Sequence, residues 1–254
     1  KKMPATSEMQ RVAAEVGFSE TVFAEQLDDV RQWRARYFSP ESEVPFCGHA
    51  TIALGSVLAQ SHGDGEFQLT RNEADISVQG SQHNGQFSAT LQSPATRHEL
   101  LSGHEIEATL RLFSYDAAQI SEQVAPARIH GGADHYVVVL KSISDLSAMS
   151  YCLDEGRDFM RERGIVTVMF AVAESDQLFH VRNAFASGGV LEDPATGAAA
   201  AAFSAYLRDS GWPNNGTITI VQGEDMGARS LIAAQPGREP GSSVCVSGAT
   251  RRIN

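Results

Sequence analysis

Long apolar runs are absent from this chain of 254 residues: none approaches the roughly 18 needed to span a bilayer. That excludes a helical membrane protein. Clustered Lys and Arg are also missing before the terminal Arg251-Arg252, and the formal net charge is −11, so a nucleic-acid partner is not expected. Cysteine is scarce. Cys47, Cys152 and Cys245 are odd in number and far apart, which argues against a disulfide framework or a Cys-rich zinc site. No signal-peptide pattern heads the chain, and a reduced, cytoplasmic setting is expected. The histidines show no HxxH or HExxH spacing, and the glycines show no G-x-G-x-x-G or P-loop spacing. Neither a metal nor a nucleotide cofactor is expected.

What is present is an ordinary globular composition, 42% hydrophobic and 20% charged, with length enough for one large or two ordinary domains. The opening "SEMQRVAAEVG" predicts an amphipathic helix, with Met9, Val12, Ala13 and Val16 on one face, Ser7 as its cap and Gly17 as its end. Extended segments follow, from "FSETVFAEQ" to the alternating Val30–Phe38. A helix from about Gly48 to Gln60 is apolar nearly all round and is expected to be buried. A second such helix begins near Gly197, in "TGAAAAAFSAYLRDSG", and short strands surround both. This is α+β text, not an alternating βαβ pattern. The two helices share a prelude. Arg36, Phe38 and Glu43 lead to Gly48; Arg182, Phe185 and Glu192-Asp193 lead to Gly197. An internal repeat is therefore expected, with an N-terminal domain over 1–108, completed by 244–254, and a C-terminal domain over 109–243.

A buried helix N-terminus presents unpaired N–H groups and about half a positive charge, a ready anion site. Two such termini facing each other would grip a small carboxylate; two ordinary helix starts with glycine for close packing is the plainer reading. His49, beside the first terminus, is either a structural hydrogen-bonder or a participant. Cys47 could be an activated thiol, because a helix N-terminus lowers a thiol's pKa. A two-thiol racemase needs a second cysteine near Gly197, and there is none, so a small buried cysteine is the better reading. That leaves carboxylates: Glu20, Glu43, Glu192 and Asp193. Glu20 sits in apolar, strand-like text between Phe18 and Val22, where a carboxylate is costly unless partnered or used.

The segments "EMQRVAAEVGFSETVFAE", "RARYFSPESEVPFCGHATIALG" and "VLEDPATGAAAAAFSAYL" resemble the PhzF family of phenazine-biosynthesis-like isomerases and epimerases, across nearly the whole chain. The resemblance implies a diaminopimelate-epimerase-like fold: two similar domains, each a mixed β-barrel around a central buried helix, related by a pseudo-twofold repeat, with the site between them. It implies that Glu20 transfers a proton, that Gly48 and His49 contact substrate, that Asp193 is the second acidic residue and Gly197 the second helix-start glycine, and that Glu43 supports binding. Ala198 replaces the serine usual after that glycine, which bears on the nature of the substrate. The family usually opens with a strand and a Gly-Asn-Pro-type turn, and this chain begins inside that pattern, roughly two dozen residues short of a strand-turn opening. The expected function is a cofactor-independent isomerase or epimerase of a small carboxylic acid, a cytoplasmic homodimer; the alternative is a non-catalytic small-molecule-binding protein on the same scaffold.

Overall fold

The computed structural model describes residues 2–72, 75–213 and 216–250. Helix α1 (Thr6–Val16) buries Met9 and Ala13 against Phe38 and ends at Gly17, whose left-handed backbone (φ 70°) only glycine adopts freely. Its start is not capped by Ser7. Ala5 precedes the first turn without a side-chain cap, and its carbonyl accepts from the N–H groups of Glu8 and Met9. Tertiary packing sets this boundary: Met9 is fully buried and the Gln10 amide donates to the Ser39 and Pro40 carbonyls.

Strands β1 (Thr21–Gln26) and β2 (Gln32–Phe38) form an antiparallel pair, and the short β3 (Glu43–Val44) adds to β2. Helix α2 (Gly48–His62) follows, then the meander β4 (Gly65–Thr70), β5 (Asp75–His83) and β6 (Gln86–Gln92). Asn84 and Gly85 turn β5 into β6 with φ of 51° and 79°, the double positive φ of a two-residue hairpin. The chain then places β7 (Arg97–Leu100), α3 (Gly103–Phe113), β8 (Ala127–His130), β9 (Asp134–Val139), α4 (Ile143–Ser147) and α5 (Leu153–Arg163). Antiparallel β10 (Thr167–Ser175) and β11 (Leu178–Ala184) lead to α6 (Gly197–Asp209), and β12 (Ile218–Gln222), β13 (Ser230–Pro236) and β14 (Val244–Thr250) finish the described chain.

All strands belong to one sheet, ordered β1-β2-β4-β5-β6-β14-β13-β12-β11-β10-β9-β8-β7, with β3 on β2. It curls around two helices. One apolar core contains α2, α6 and the inner strand faces; a second lies between the outer face of β9 and β10 and helices α3 to α5. The pairings on either side of α2 and α6 run in the same order. An antiparallel pair precedes each helix, and a strand parallel to the second member of that pair follows it. Close approach explains the small residues. A Cβ on Gly80 would lie 2.3 Å from the Gly55 carbonyl oxygen of α2, and one on Gly131 would lie 2.9 Å from the Ala202 nitrogen of α6. The burial of α6 is complete from Gly197 to Leu207, whereas α2 leaves Ala53, Val57 and Gln60 on an exposed stripe.

The boundary expected at 108–109 falls within α3, and β7, which precedes α3, pairs with β8. β14 lies between β6 and β13; residues 251–254, part of the segment expected to complete the N-terminal domain, lie outside the described chain. Among the described residues, no helix is long and apolar enough to cross a membrane.

Candidate active site

Helices α2 and α6 meet N-terminus to N-terminus. A Cβ on Gly48 would stand 2.7 Å from the Gly197 Cα and 3.0 Å from the Ala198 nitrogen. Neither helix has a side-chain cap. The regular ladders begin only when Thr51 N–H reaches the Cys47 carbonyl and Ala200 N–H reaches that of Thr196. The N–H groups of the two first turns therefore converge, and their partial positive charges add at one point.

Three titratable side chains gather at that point. Glu20 lies one residue before β1, not within a strand as its apolar neighbours suggest. The glycine turn at Gly17 sends Phe18 outward, 57% exposed, and the Glu20 side chain inward, 7% exposed. Its Oε2 is 3.4 Å from Nε2 of His49, and His49 Nδ1 is 3.7 Å from Oδ1 of Asp193. Asp193 follows β11 and is nearly solvent-free. It accepts from the hydroxyls of Ser19 (3.0 Å) and Thr196 (2.6 Å), and its carbonyl accepts from the Gln222 amide (2.7 Å), which also binds Thr196. The two hydroxyl bonds give each carboxylate oxygen of this buried side chain a partner.

The electrostatics follow from the crowding. Burial, then the Asp193 charge, push the Glu20 carboxyl up to about 7, against the opposing pull of His49. Burial alone would lower the imidazole's pKa, but Asp193 and Glu20 together overcome it, so His49 is raised. A carboxyl that changes protonation near neutral pH, beside an imidazole, can both take and return a proton. Cys47 points the other way. It is buried, and desolvation, then the Glu20 and Asp193 charges, hold its thiol well above the usual range despite the adjacent helix start. Its Sγ is 3.5 Å from His49 Nδ1. Glu20, Cys47 and His49 offer donor atoms within 4.8 Å of one another, but a metal there would have to displace the proton of that thiol. The expected outcome for Cys47→Ala is an enzyme that keeps most of its activity and loses about 1 kcal/mol of stability. Iodoacetamide should not inactivate the parent through this residue. Kinetics and a melting curve of the variant check both points.

The structure thus brings together Glu20, Gly48, His49, Asp193, Gly197 and Ala198, and leaves Glu43 outside. Glu43, for which the resemblance implies a role supporting binding, is gripped by Arg36 with two bonds of 2.8 and 2.6 Å, and Asn72 adds a third. Its register opposite Phe38 on the β2–β3 ladder turns it to a different groove. Glu192 makes the corresponding pair with Arg182, at 2.6 Å. Sequence reading missed several supporting residues. Ser19 and Thr196 adjoin the motifs and could have been suspected. Gln222 and His135 carry no local signal. His135 is buried, its Nδ1 is 2.8 Å from the Thr167 hydroxyl, and burial drives its pKa to about 3, so it is neutral. It lines a void of about 20 Å³ beneath the helix starts together with Glu20, His49, Asp193 and Ala198. Above Glu20 and His49 opens a cleft of about 830 Å³.

Comparison with known proteins identifies the family and the fold. The phenazine biosynthesis-like protein family model matches residues 5–251. The chain is 29% identical over 234 residues to trans-2,3-dihydro-3-hydroxyanthranilate isomerase of Pseudomonas chlororaphis, covering 91% of this chain and 80% of that one. Among solved structures, a predicted epimerase of Pseudomonas aeruginosa superposes with a TM-score of 0.83 at 22% identity, over 98% of this chain and 89% of that one. A probable proline racemase of Agrobacterium radiobacter superposes at 0.65 and 12% identity, over 98% and 82% of the two chains. With two helix starts converging on a buried carboxyl, and a family match that spans nearly every residue, this chain belongs to the phenazine biosynthesis-like family and is an isomerase.

Proposed function

We propose that the protein moves a proton between carbon positions of a carboxylic acid, without a cofactor, using Glu20 as the acid–base group. The carrying observation is a buried Glu20 carboxyl poised near neutral pH, 3.4 Å from His49, at the floor of the cleft and the roof of the void. A substrate carboxylate directed at the converged N–H groups of α2 and α6 would present its neighbouring C–H to Glu20. The ionised Glu20 removes that proton. The electron pair moves onto the substrate's carboxylate oxygens, where the helix N–H groups and His49 stabilise the added charge. Glu20, now protonated, returns the proton to the same carbon from which it came or to a conjugated one. Asp193, 3.7 Å from His49 Nδ1, favours the charged imidazole. Ala198 places a methyl where a hydroxyl donor could stand, so the backbone N–H groups take the larger share of binding. A homodimer in the cytoplasm is part of this proposal, and sedimentation at micromolar concentration checks the first half of it.

Two Pseudomonas relatives are named for trans-2,3-dihydro-3-hydroxyanthranilate, which makes that acid the first to test here. The test is solvent-deuterium incorporation into added acids, combined with His49→Ala. Exchange is expected in the parent and should fall by at least tenfold in the variant, with a melting temperature little changed. A structure soaked in sulfate should show the anion on the N–H groups at Gly48, His49, Gly197 or Ala198. Undiminished exchange in His49→Ala, or bulk water alone at both helix starts under saturating sulfate, would overturn the reading.

A further inference from the structure

The cleft above Glu20 is much larger and much less polar than proton transfer at one carbon requires. Its volume, about 830 Å³, falls in the upper part of the range of roughly 300–1,000 Å³ typical of pockets that enclose drug-sized ligands. Apolar side chains from separate segments converge on it. Phe18 comes from the turn after α1, Leu191 from the turn before α6 and Met226 from the loop after β12. They are 57%, 53% and 42% exposed, unusual for large apolar groups in one place. Met149 and Ala53 fill the wall between them.

Most of the cleft's polar groups are already engaged. Among the described residues, its charged lining groups besides Glu20 and His49 are Arg182 and Glu192. Arg182 Nε lies 3.1 and 3.2 Å from the two Glu192 oxygens and Nη2 lies 2.6 Å from one of them. Its Nη1 donates to the carbonyls of Leu146, Ser147 and Met149. The Tyr151 hydroxyl donates to the Leu191 carbonyl, and the Ser19 hydroxyl to Asp193. A second carboxylate on a ligand would meet apolar walls and an arginine already held by two acidic side chains, Glu192 and Asp225, and leaving such a group without a partner is costly.

We infer that the substrate is a monocarboxylic acid with a predominantly apolar body that fills this cleft, and not a diacid. The inference rests on the proposal that the carboxylate sits at the helix starts. The body then extends away from Glu20 and His49 between Phe18, Leu191 and Met226.

Isothermal titration calorimetry of the full chain tests it, with butanoate, hexanoate and octanoate, the diacid suberate, and 1-octanol. Burial of one methylene contributes about 0.8 kcal/mol, so affinity should tighten by up to about fourfold per added CH₂ along the monoacids. Suberate should bind at least tenfold more weakly than octanoate. Leu191→Asp and Met226→Asp place charges at exposed wall positions, where the fold should tolerate them, and either should bring octanoate down toward butanoate. Melting curves check that both variants are folded. A flat series through octanoate, suberate as tight as octanoate, or a full chain-length gain in both folded variants would overturn the apolar-body assignment while leaving the carboxylate site standing. 1-Octanol binding as tightly as octanoate would instead remove the carboxylate from the helix starts and keep the apolar cleft. Absence of binding by every acid would overturn both.

Discussion

Glu20→Gln is expected to lose activity by about 10²–10⁴, the usual contribution of a positioned general base, and yet to melt at a higher temperature than the parent in alkaline buffer. Both effects have one cause. Burial and the Asp193 charge raise the Glu20 carboxyl from 4.5 to about 7, so the folded state favours its neutral form. The stability associated with that raised pKa is fully present below about pH 4.5 and is lost as pH rises through about 7. Above pH 7 the fold carries a buried charge, at a cost of up to roughly 3 kcal/mol if the whole raise is expressed. Glutamine has the same shape and no charge, so it should relieve much of that cost at pH 8.5 and almost none at pH 5. For a chain of this size each kcal/mol moves the melting temperature by about 2–4 °C. Melts of parent and variant at the two pH values read the difference directly. For the parent, kcat/KM should rise as pH passes through about 7, because the base must be ionised to act. A glutamine variant that exchanges solvent deuterium as fast as the parent, or that melts lower at pH 8.5, would remove Glu20 from the base role. Stability sacrificed at a reactive group is a common pattern in enzymes.

Gly48→Ala should be severe for a reason that helix propensity alone would predict wrongly. In a helix, alanine is favoured over glycine by about 1 kcal/mol. At Gly48 the added methyl would stand 2.7 Å from the Gly197 Cα and 3.0 Å from the Ala198 nitrogen. Those are backbone atoms of a fully buried helix and cannot turn aside as a side chain could. Overpacking of this kind costs typically 1–3 kcal/mol or more, which outweighs the propensity gain and forces the two helix starts apart. The expected result is a variant several degrees less stable that no longer binds sulfate or octanoate at that point. Gly103→Ala supplies the control. Gly103 opens α3, and an added Cβ there meets nothing within 4 Å. It should be neutral or stabilising by up to about 1 kcal/mol. Calorimetric melts of the two variants settle the sign; equal stability for Gly48→Ala and Gly103→Ala would mean that α2 and α6 do not meet as described.

Much of this protein was legible along the chain because it is encoded locally. The apolar text of α2 and α6 marked both as buried, and the glycines at 48 and 197 marked two helix starts. The parallel preludes to those helices led to Arg36–Glu43 and Arg182–Glu192, and each proved to be an ion pair. The SET, CGHAT and EDPATG segments pointed to Glu20, His49 and Asp193, which the fold gathers around one imidazole.

Other features depend on residues distant in sequence, and no local pattern contains them. Ser7 looked like a cap, but the anchoring of Met9 and Gln10 on a strand some thirty residues onward moved the helix start to Ala5. The motif around Glu43 does not show its partner; the ladder register that turns it to Arg36 does. The missing second cysteine made an inert Cys47 the better reading along the chain, but the cause, exclusion of water and then two buried carboxylates that raise its pKa, belongs to the fold. Gln222 and His135 joined the site only because β12 and β9 pass beneath it. The pKa of Glu20 belongs to the same class: residue type sets its ordinary value, whereas burial and the charge of Asp193, far along the chain, set the value at which it works. Periodicity and turn chemistry act over a few residues and can be read in order; desolvation and charge act through space, and only the folded chain decides which groups share it.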